Sequence, residues 1–210
     1  NGRGAGSSSL VSARPSAAPE ATRSKIQAVA EQLFASEGFD RVPLRQIARE
    51  AGQRNVAAVQ YHFGSKEGLL SSIVDTHRSE IDDRRRDLLE ALTEAESEAD
   101  LSTLIGILVE PLAAKLDDAS GRAYLRIQAQ GLTNEKMRPA TQSLIRRIRR
   151  HLGAIDEERG APFRDRFALL LLFHALADRA RAEETQAARR GARRDFVDSL
   201  TRSIEALFAA

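Results

Sequence analysis

From residue 22 onward the apolar residues of this chain return every three or four positions, and most such stretches end at a glycine. In "TRSKIQAVAEQLFASEGF", Ile26, Val29, Ala30, Leu33 and Phe34 share one stripe of a 3.6-residue helix, and Gly38 stops it. No segment shows the two-residue alternation of a half-buried strand. Ala, Leu, Arg and Glu dominate while aromatic residues make up only 5 %, a mixture that favours helix over sheet. With 210 residues, 42 % of them hydrophobic, the chain can fill one or two helical cores. The expected fold class is all-α.

The stretch before that first stripe, "NGRGAGSSSLVSARPSAAPE" (residues 1–20), is Gly, Ser, Ala and Pro without periodicity and is expected to be a flexible tail. Its Arg3 and Arg14 could touch a polyanion or simply be solvated. Ser24 with Gln27 has the spacing of a capping box for the first helix. A short second helix, "LRQIAREA", follows Pro43, a good first-turn residue, with Leu44, Ile47, Ala48 and Ala51 inward, and ends at Gly52. The turn "GQRN" then leads to Asn55, which can cap a third helix over "VAAVQYHF". Val56, Val59 and Phe63 lie at i, i+3 and i+7 on its inner face, which leaves Ala57, Ala58, Gln60, Tyr61 and His62 facing out.

Two short helices joined by a tight glycine-containing turn, the second with a polar outer face, describe a helix-turn-helix. Ala57 and Ala58 have almost no side chain, so the third helix could approach base edges closely, and a methyl could meet a thymine methyl. Gln60 offers the amide pair that suits adenine. Tyr61 and His62 can donate to phosphate oxygens, and Lys66 sits at the start of the next helix, where backbone N–H groups also point outward. Arg54, in the turn, would either reach DNA or be solvated.

The segments "LFASEGFDRVPLRQIAREAG" and "VAAVQYHFGSKEGLL" resemble those of the TetR family of bacterial transcriptional regulators. The shared features are a Leu-Phe-x-x-x-Gly-Phe helix end, an Ile-Ala-x-x-Ala-Gly second helix and a Tyr-His-Phe-x-Ser-Lys-Glu-x-Leu signature, within residues 22–74. The resemblance implies a homodimeric repressor that binds palindromic double-stranded DNA and whose second domain holds a small-molecule effector. It also implies phosphate contacts from Tyr61, His62 and Lys66, and base approach by Arg45 and the exposed face of the third helix. The sequence departs from the family pattern in three places. Val42-Pro43 stands where a threonine pair is common, Gln60 stands where a tyrosine often precedes the aromatic-His-Phe triplet, and the turn is one residue longer.

Beyond Ser65, which can cap a long helix to about residue 95, the pattern gives helices over about 101–117 (bent near Pro111), 121–131, 136–158, 162–188 and 192–208. The expected organisation is a tail over 1–20, a three-helix DNA-binding domain over 21–66 and a larger helical bundle over 67–210 for effector sensing and dimerisation. The charge runs "DDRRR" (82–86), "SLIRRIRRHLG" (143–153) and "RRGARR" (189–194) are read as solvated faces. In "FRDRFALLLLFHALADRA" the apolar arc is wide enough for burial on two sides. One side holds Phe163, Phe167, Leu170, His174 and Ala177; the other holds Leu169, Leu172, Phe173, Leu176 and Ala180. The second side, with Phe196, Leu200 and Ile204 of the last helix, is the expected dimer interface, which follows how the family dimerises. Tyr124, Gln128, Phe167, Leu171 and His174, with Gln130, are candidates for an effector pocket, and a satisfied core histidine is the alternative at His174.

Catalysis finds no motif. There is no cysteine, no Gly-x-Ser-x-Gly, no His-x-x-x-His and no Glu three residues before any of the four histidines, so neither an enzyme nor a metal site is expected. No apolar run is long enough for a bilayer and no signal peptide is apparent, so a cytoplasmic location and no membrane partner are expected. The net charge of +2 permits nucleic-acid binding without arguing for it. Two alternatives remain: an activator or partner-controlled regulator, and a helical small-molecule binder or enzyme without DNA binding.

Overall fold

The structure, a computed structural model, describes residues 17–92, 99–131, 137–152, 161–185 and 191–209. Among them are nine α-helices: α1 (Ala17–Glu37), α2 (Leu44–Glu50), α3 (Ala57–Phe63), α4 (Lys66–Glu90), α5 (Leu101–Ala113), α6 (Ala119–Gln128), α7 (Pro139–Leu152), α8 (Ala161–Glu184) and α9 (Gly191–Ala209). The described residues contain no strand. None of their helices is long and apolar enough to cross a membrane.

The first helix begins earlier than its apolar stripe. Residues 17–20, expected in the tail, form its opening turn, and Ser24 sits inside the helix as an exposed residue rather than as a cap. Gln27, the other half of the expected capping box, donates to Thr76 Oγ1 on α4 at 3.2 Å. Arg3 and Arg14 lie outside the described residues. Gly38 ends the helix with φ +91°, a backbone conformation only glycine adopts without strain. Pro43 occupies the N-cap of α2 in an extended conformation, and Val42 before it is fully buried. Of the two positions where the family pattern carries hydroxyls, Val42 is therefore a core residue and Pro43 an exposed N-cap without a side-chain donor or acceptor.

Other caps match their chemistry. The Ser65 side chain accepts from Gly68 N at 3.0 Å to start α4, and Asp100 and Asp118 do the same for α5 and α6. A Cβ on Gly68 would fall 2.2 Å from the Phe63 carbonyl oxygen, so α4 folds back against the end of α3 only because that residue is glycine. Helix α5 continues past Pro111 to Ala113 and then tightens into a 3-10 turn at Ala114–Leu116.

α1 packs against α2, α3, α4 and α6; α5 lies against α4, α7 and α9; α8 lies between α6 and α9. Buried residues from Ile26 on α1 to Phe208 on α9 form one connected apolar core. The three-helix head and the larger bundle thus share their packing through α1.

Polar groups sit at that joint. His77 Nε2 on α4 and Glu31 Oε1 on α1 are 2.6 Å apart, and both residues are buried. Ser120 Oγ on α6 donates to the other Glu31 oxygen at 2.5 Å. The His77 ring stacks on Tyr124 of α6, with centroids 4.6 Å apart. Gln130 also ties α6 to α1, because its amide donates to Phe34 O at 2.9 Å and accepts from Phe39 N at 3.2 Å. It belongs to this joint and not to a pocket.

Two of the three charge runs are solvated only in part. Asp82 and Arg85 of "DDRRR" are buried, because they fall on the same side of α4 as Val74, His77 and Ile81. Arg193 of "RRGARR" is half-buried between α8 and α9, where it binds Glu183 and Asp117.

Candidate functional site

The outward surface of α2 and α3 is built by the turn that separates them. Asn55 Oδ1 accepts from Ala57 N at 2.9 Å, so it does start the third helix as expected, although Val56 holds the N-cap position in a helical conformation. Val59 is buried, and Val56 and Phe63 are half-buried against the core. This orientation leaves Ala57 and Gln60 exposed and Tyr61 83 % exposed, an unusual state for so large an aromatic residue. Arg45, Arg54 and Asn55 are exposed beside them, and Ala58 is half-buried.

Two of the expected contacts sit differently from the sequence reading. His62 is half-buried between the Tyr61 and Phe63 rings, edge-on to Tyr61 at 5.1 Å. Lys66 does not point outward. Its Nζ lies 4.3 Å from the centre of the Phe39 ring and 3.5 Å from Asp40 O, a cation held over an aromatic face. It would have to leave that seat to reach a phosphate.

The support beneath α3 was not legible as function. Arg23 on α1 donates to Ser72 at 2.8 Å and lies 5.0 Å above the Phe63 ring, fixing the end of α3 against α4. Lys25 Nζ comes within 3.3 Å of where a Gly52 Cβ would be, so a cation from α1 lies beside the turn. Nothing in the spacing of α1 marks either residue, since both fall outside its apolar stripe.

The larger bundle encloses a cavity of about 490 Å³ between α4, α5, α6, α7, α8 and α9. Tyr124 and Gln128 line it, as expected. Phe167, Leu171 and His174 do not: they are exposed on the far side of α8, and His174 Nδ1 sits 2.9 Å from Leu170 O of its own helix. The side of α8 expected to face a partner is largely buried within the chain, although Leu169 stays 44 % exposed. Leu172 and Leu176, expected to be dimer contacts, are fully buried within the chain, as are Leu200 and Ile204 of α9. Phe173 and Leu169 line the cavity, and Phe196 is half-buried under Arg179. The side chain of Phe163 lies outside the described residues.

What α8 does expose is a run of large apolar residues: Phe167 (56 %), Leu169 (44 %), Leu170 (44 %) and Leu171 (36 %), of which Leu169 also lines the cavity. The described exposed residues of α9 are polar apart from Ala206, among them Arg194, Asp198 and Arg202.

The sequence signal missed in the cavity is Arg85. It is 5 % exposed, donates to Leu108 O at 2.8 Å and Thr141 Oγ1 at 2.9 Å, and leaves its buried Nε without a hydrogen-bond partner. Burial pushes its guanidinium down to about 10, against the opposing pull of Tyr124 and Asp82, so it stays charged at neutral pH. Among the described residues, no group of His, Cys, Asp or Glu side chains could hold a metal ion.

Residues 26–73 match the family model for bacterial regulatory proteins of the tetR family. No curated protein sequence matches the chain. Among solved structures, a gamma-butyrolactone receptor described as an ArpA-like protein aligns at 19 % identity with a TM-score of 0.51, over 90 % of this chain and 98 % of that one. A TetR-family regulator from Streptomyces coelicolor A3 aligns at 20 % identity with a TM-score of 0.46, over 94 % and 98 %. GusR of Salmonella enterica aligns at 20 % identity and 0.47, over 90 % and 96 %. At these identities the first of them speaks to the fold.

Proposed function

We propose that this chain, which belongs to the TetR family of bacterial transcriptional regulators through its residues 26–73, is a sequence-specific repressor that a small molecule releases from its operator. The observation that supports this most is the outward surface of α3. An 83 % exposed tyrosine stands beside exposed Gln60, Ala57, Arg45 and Arg54, on a helix whose other side is buried. A helix that exposes an aromatic ring, an amide and small residues beside two arginines suits a major groove and its flanking phosphates. Tyr61 and Arg54 take phosphate-contacting roles in this reading, and Gln60 with the Ala57 methyl faces bases. His62 positions Tyr61 by edge contact, and Lys66 adds a phosphate contact on leaving Phe39.

The repressor acts as a homodimer through the exposed face of α8. Phe167, Leu170 and Leu171 form an apolar band on an otherwise polar surface, which is what a subunit contact needs. Two α3 helices then enter successive major grooves about 34–36 Å apart.

Release follows from how the cavity joins the head. Tyr124 lines the cavity and stacks on His77, which binds Glu31 of α1, and α1 carries α2 and α3. A molecule that binds better when Tyr124 and α6 have shifted favours a conformer with a different α3 separation, and the operator loses affinity by the same differential.

Fluorescence anisotropy with DNA from immediately upstream of its own gene tests the core of this reading. Specific binding that weakens steeply with salt is expected. Equal affinity for that fragment and for unrelated DNA rules it out.

A further inference from the structure

The charge of the cavity wall says what kind of molecule fits it. Among the described residues its lining includes five arginines, at positions 78, 85, 138, 149 and 166, and no aspartate or glutamate. The remainder is mainly apolar and aromatic, with Leu108, Leu112, Tyr124, Phe173 and Phe208 prominent. At about 490 Å³ the space is of the size that takes a small organic ligand.

The arginines are not equivalent. Arg138 is neutralised by Asp75 at 3.0 Å, Arg78 is half-buried, and Arg149 and Arg166 are exposed. Arg85 is the buried one. Its hydrogen-bond partners are a carbonyl and a hydroxyl, neither of which carries charge, and its Nε–H has none. The buried acid nearest in sequence, Asp82, favours the Arg85 charge through space, but its oxygens are taken up by α7. Its oxygens accept from Ala140 N at 3.1 Å, Thr141 N at 2.7 Å and Thr141 Oγ1 at 2.8 Å, which caps the start of α7. A buried cation beside an apolar space, with a donor unused, is costly unless an anion completes it.

We propose that the cavity binds an amphipathic carboxylate, whose apolar body fills the space between α5, α6 and α8 while its carboxylate accepts from Arg85. This rests on the reading of the cavity as the effector site and adds the chemical class of the effector. The anion supplies an opposite charge at the cavity wall that Arg85 lines, and the exposed arginines at the rim favour its entry over that of a cation.

The test uses three ten-carbon probes that differ only at the head: decanoate, decanol and decylammonium, each titrated calorimetrically into the full chain. Decanoate is expected to bind at least about tenfold more tightly than decanol, the difference a charge-assisted hydrogen bond makes, and decylammonium not at all. Equal or tighter binding of decanol, any preference for decylammonium, or no binding by all three overturns the proposal. Arg85→Met should bring decanoate down to the affinity of decanol and leave decanol unchanged. A folded Arg85→Met protein that keeps its preference for decanoate overturns the assignment of the site. Should that variant not fold, the comparison of heads on the unaltered chain still decides. Decanoate is finally added to the protein–operator complex. Tight binding without loss of DNA would leave the ligand class standing and remove the effector reading on which it rests.

Discussion

Helices α3 and α8 both carry large side chains into solvent, and they do so in different company. On α3 one aromatic ring, Tyr61, stands among a glutamine, an alanine and nearby arginines. On α8 the apolar side chains Phe167, Leu170 and Leu171 are exposed together, with Leu169 beside them. A single ring with a hydroxyl among cations suits a polyanion, where the partner is charged and wet. A continuous hydrocarbon band suits another protein surface, where water is expelled. Exposure alone does not identify a partner; the neighbours of the exposed group do.

That contrast can be broken most forcefully at α8. Charged residues in the band, as in the double substitution Leu170→Glu and Leu171→Glu, should convert a dimer into monomers by light scattering. Operator affinity should fall by about 100-fold, since two linked heads gain from effective concentration. An unchanged mass would mean that the band is not the subunit contact. Tyr61→Ala should leave the mass alone and weaken operator binding by about tenfold, the scale of a lost phosphate hydrogen bond with its packing. If it lowered the mass instead, the two surfaces would have been misassigned. Gln60→Ala should cost only about fivefold on the preferred site while broadening base choice in a randomised-site selection, near the lower limit for one base contact.

The smallest effect concerns what keeps α8 in place. Burial alone would raise the Glu183 carboxyl, but hydrogen bonds from Arg193 and Arg179 outweigh it and hold the group below its usual 4.5. Arg193 also reaches Asp117, so the cluster pins α8 to α9 and to the turn before α6. A depressed carboxylate stabilises the fold above its ordinary range and ceases to do so as pH falls through the folded value. Glu183→Gln should therefore cost about 1 kcal/mol at pH 7. In thermal melts the gap from the unaltered protein should close as the pH is taken below 4.5. A gap of constant size would assign the loss to packing.

Local pattern carried the head and failed in the body for a physical reason. Val59 at the centre of α3, the Ser65 cap and the stop at Gly38 each depend on a few adjacent residues, so the outward surface of α3 could be read before any contact was known. Helix α8 is apolar over most of its circumference, and periodicity then has no preferred side. Only the positions of α5, α6 and α9 decide that Leu172 and Leu176 go in while Phe167 and Leu171 stay out. Arg85 was missed because an arginine within a charge run normally reaches water. The clue lay in its register, eight residues after His77 and four after Ile81 on the buried face of α4. Lys66 shows the converse: its place in the signature was legible, but its resting contact with Phe39 was not.

The Glu31–His77–Ser120 contact bears on how freely heads and bodies of this architecture could be exchanged. It joins three helices by polar groups whose positions must agree, inside a seam closed mainly by hydrocarbon. A chimera that transplanted α1–α3 onto a foreign body would bring along a carboxylate with no imidazole to meet it, and a buried orphan charge of that kind can cost as much as a small domain's whole margin of stability. Recombination at the chain boundary near residue 65 therefore cuts in the wrong place, and a viable graft must carry its own stretch of α4 and α6 with it.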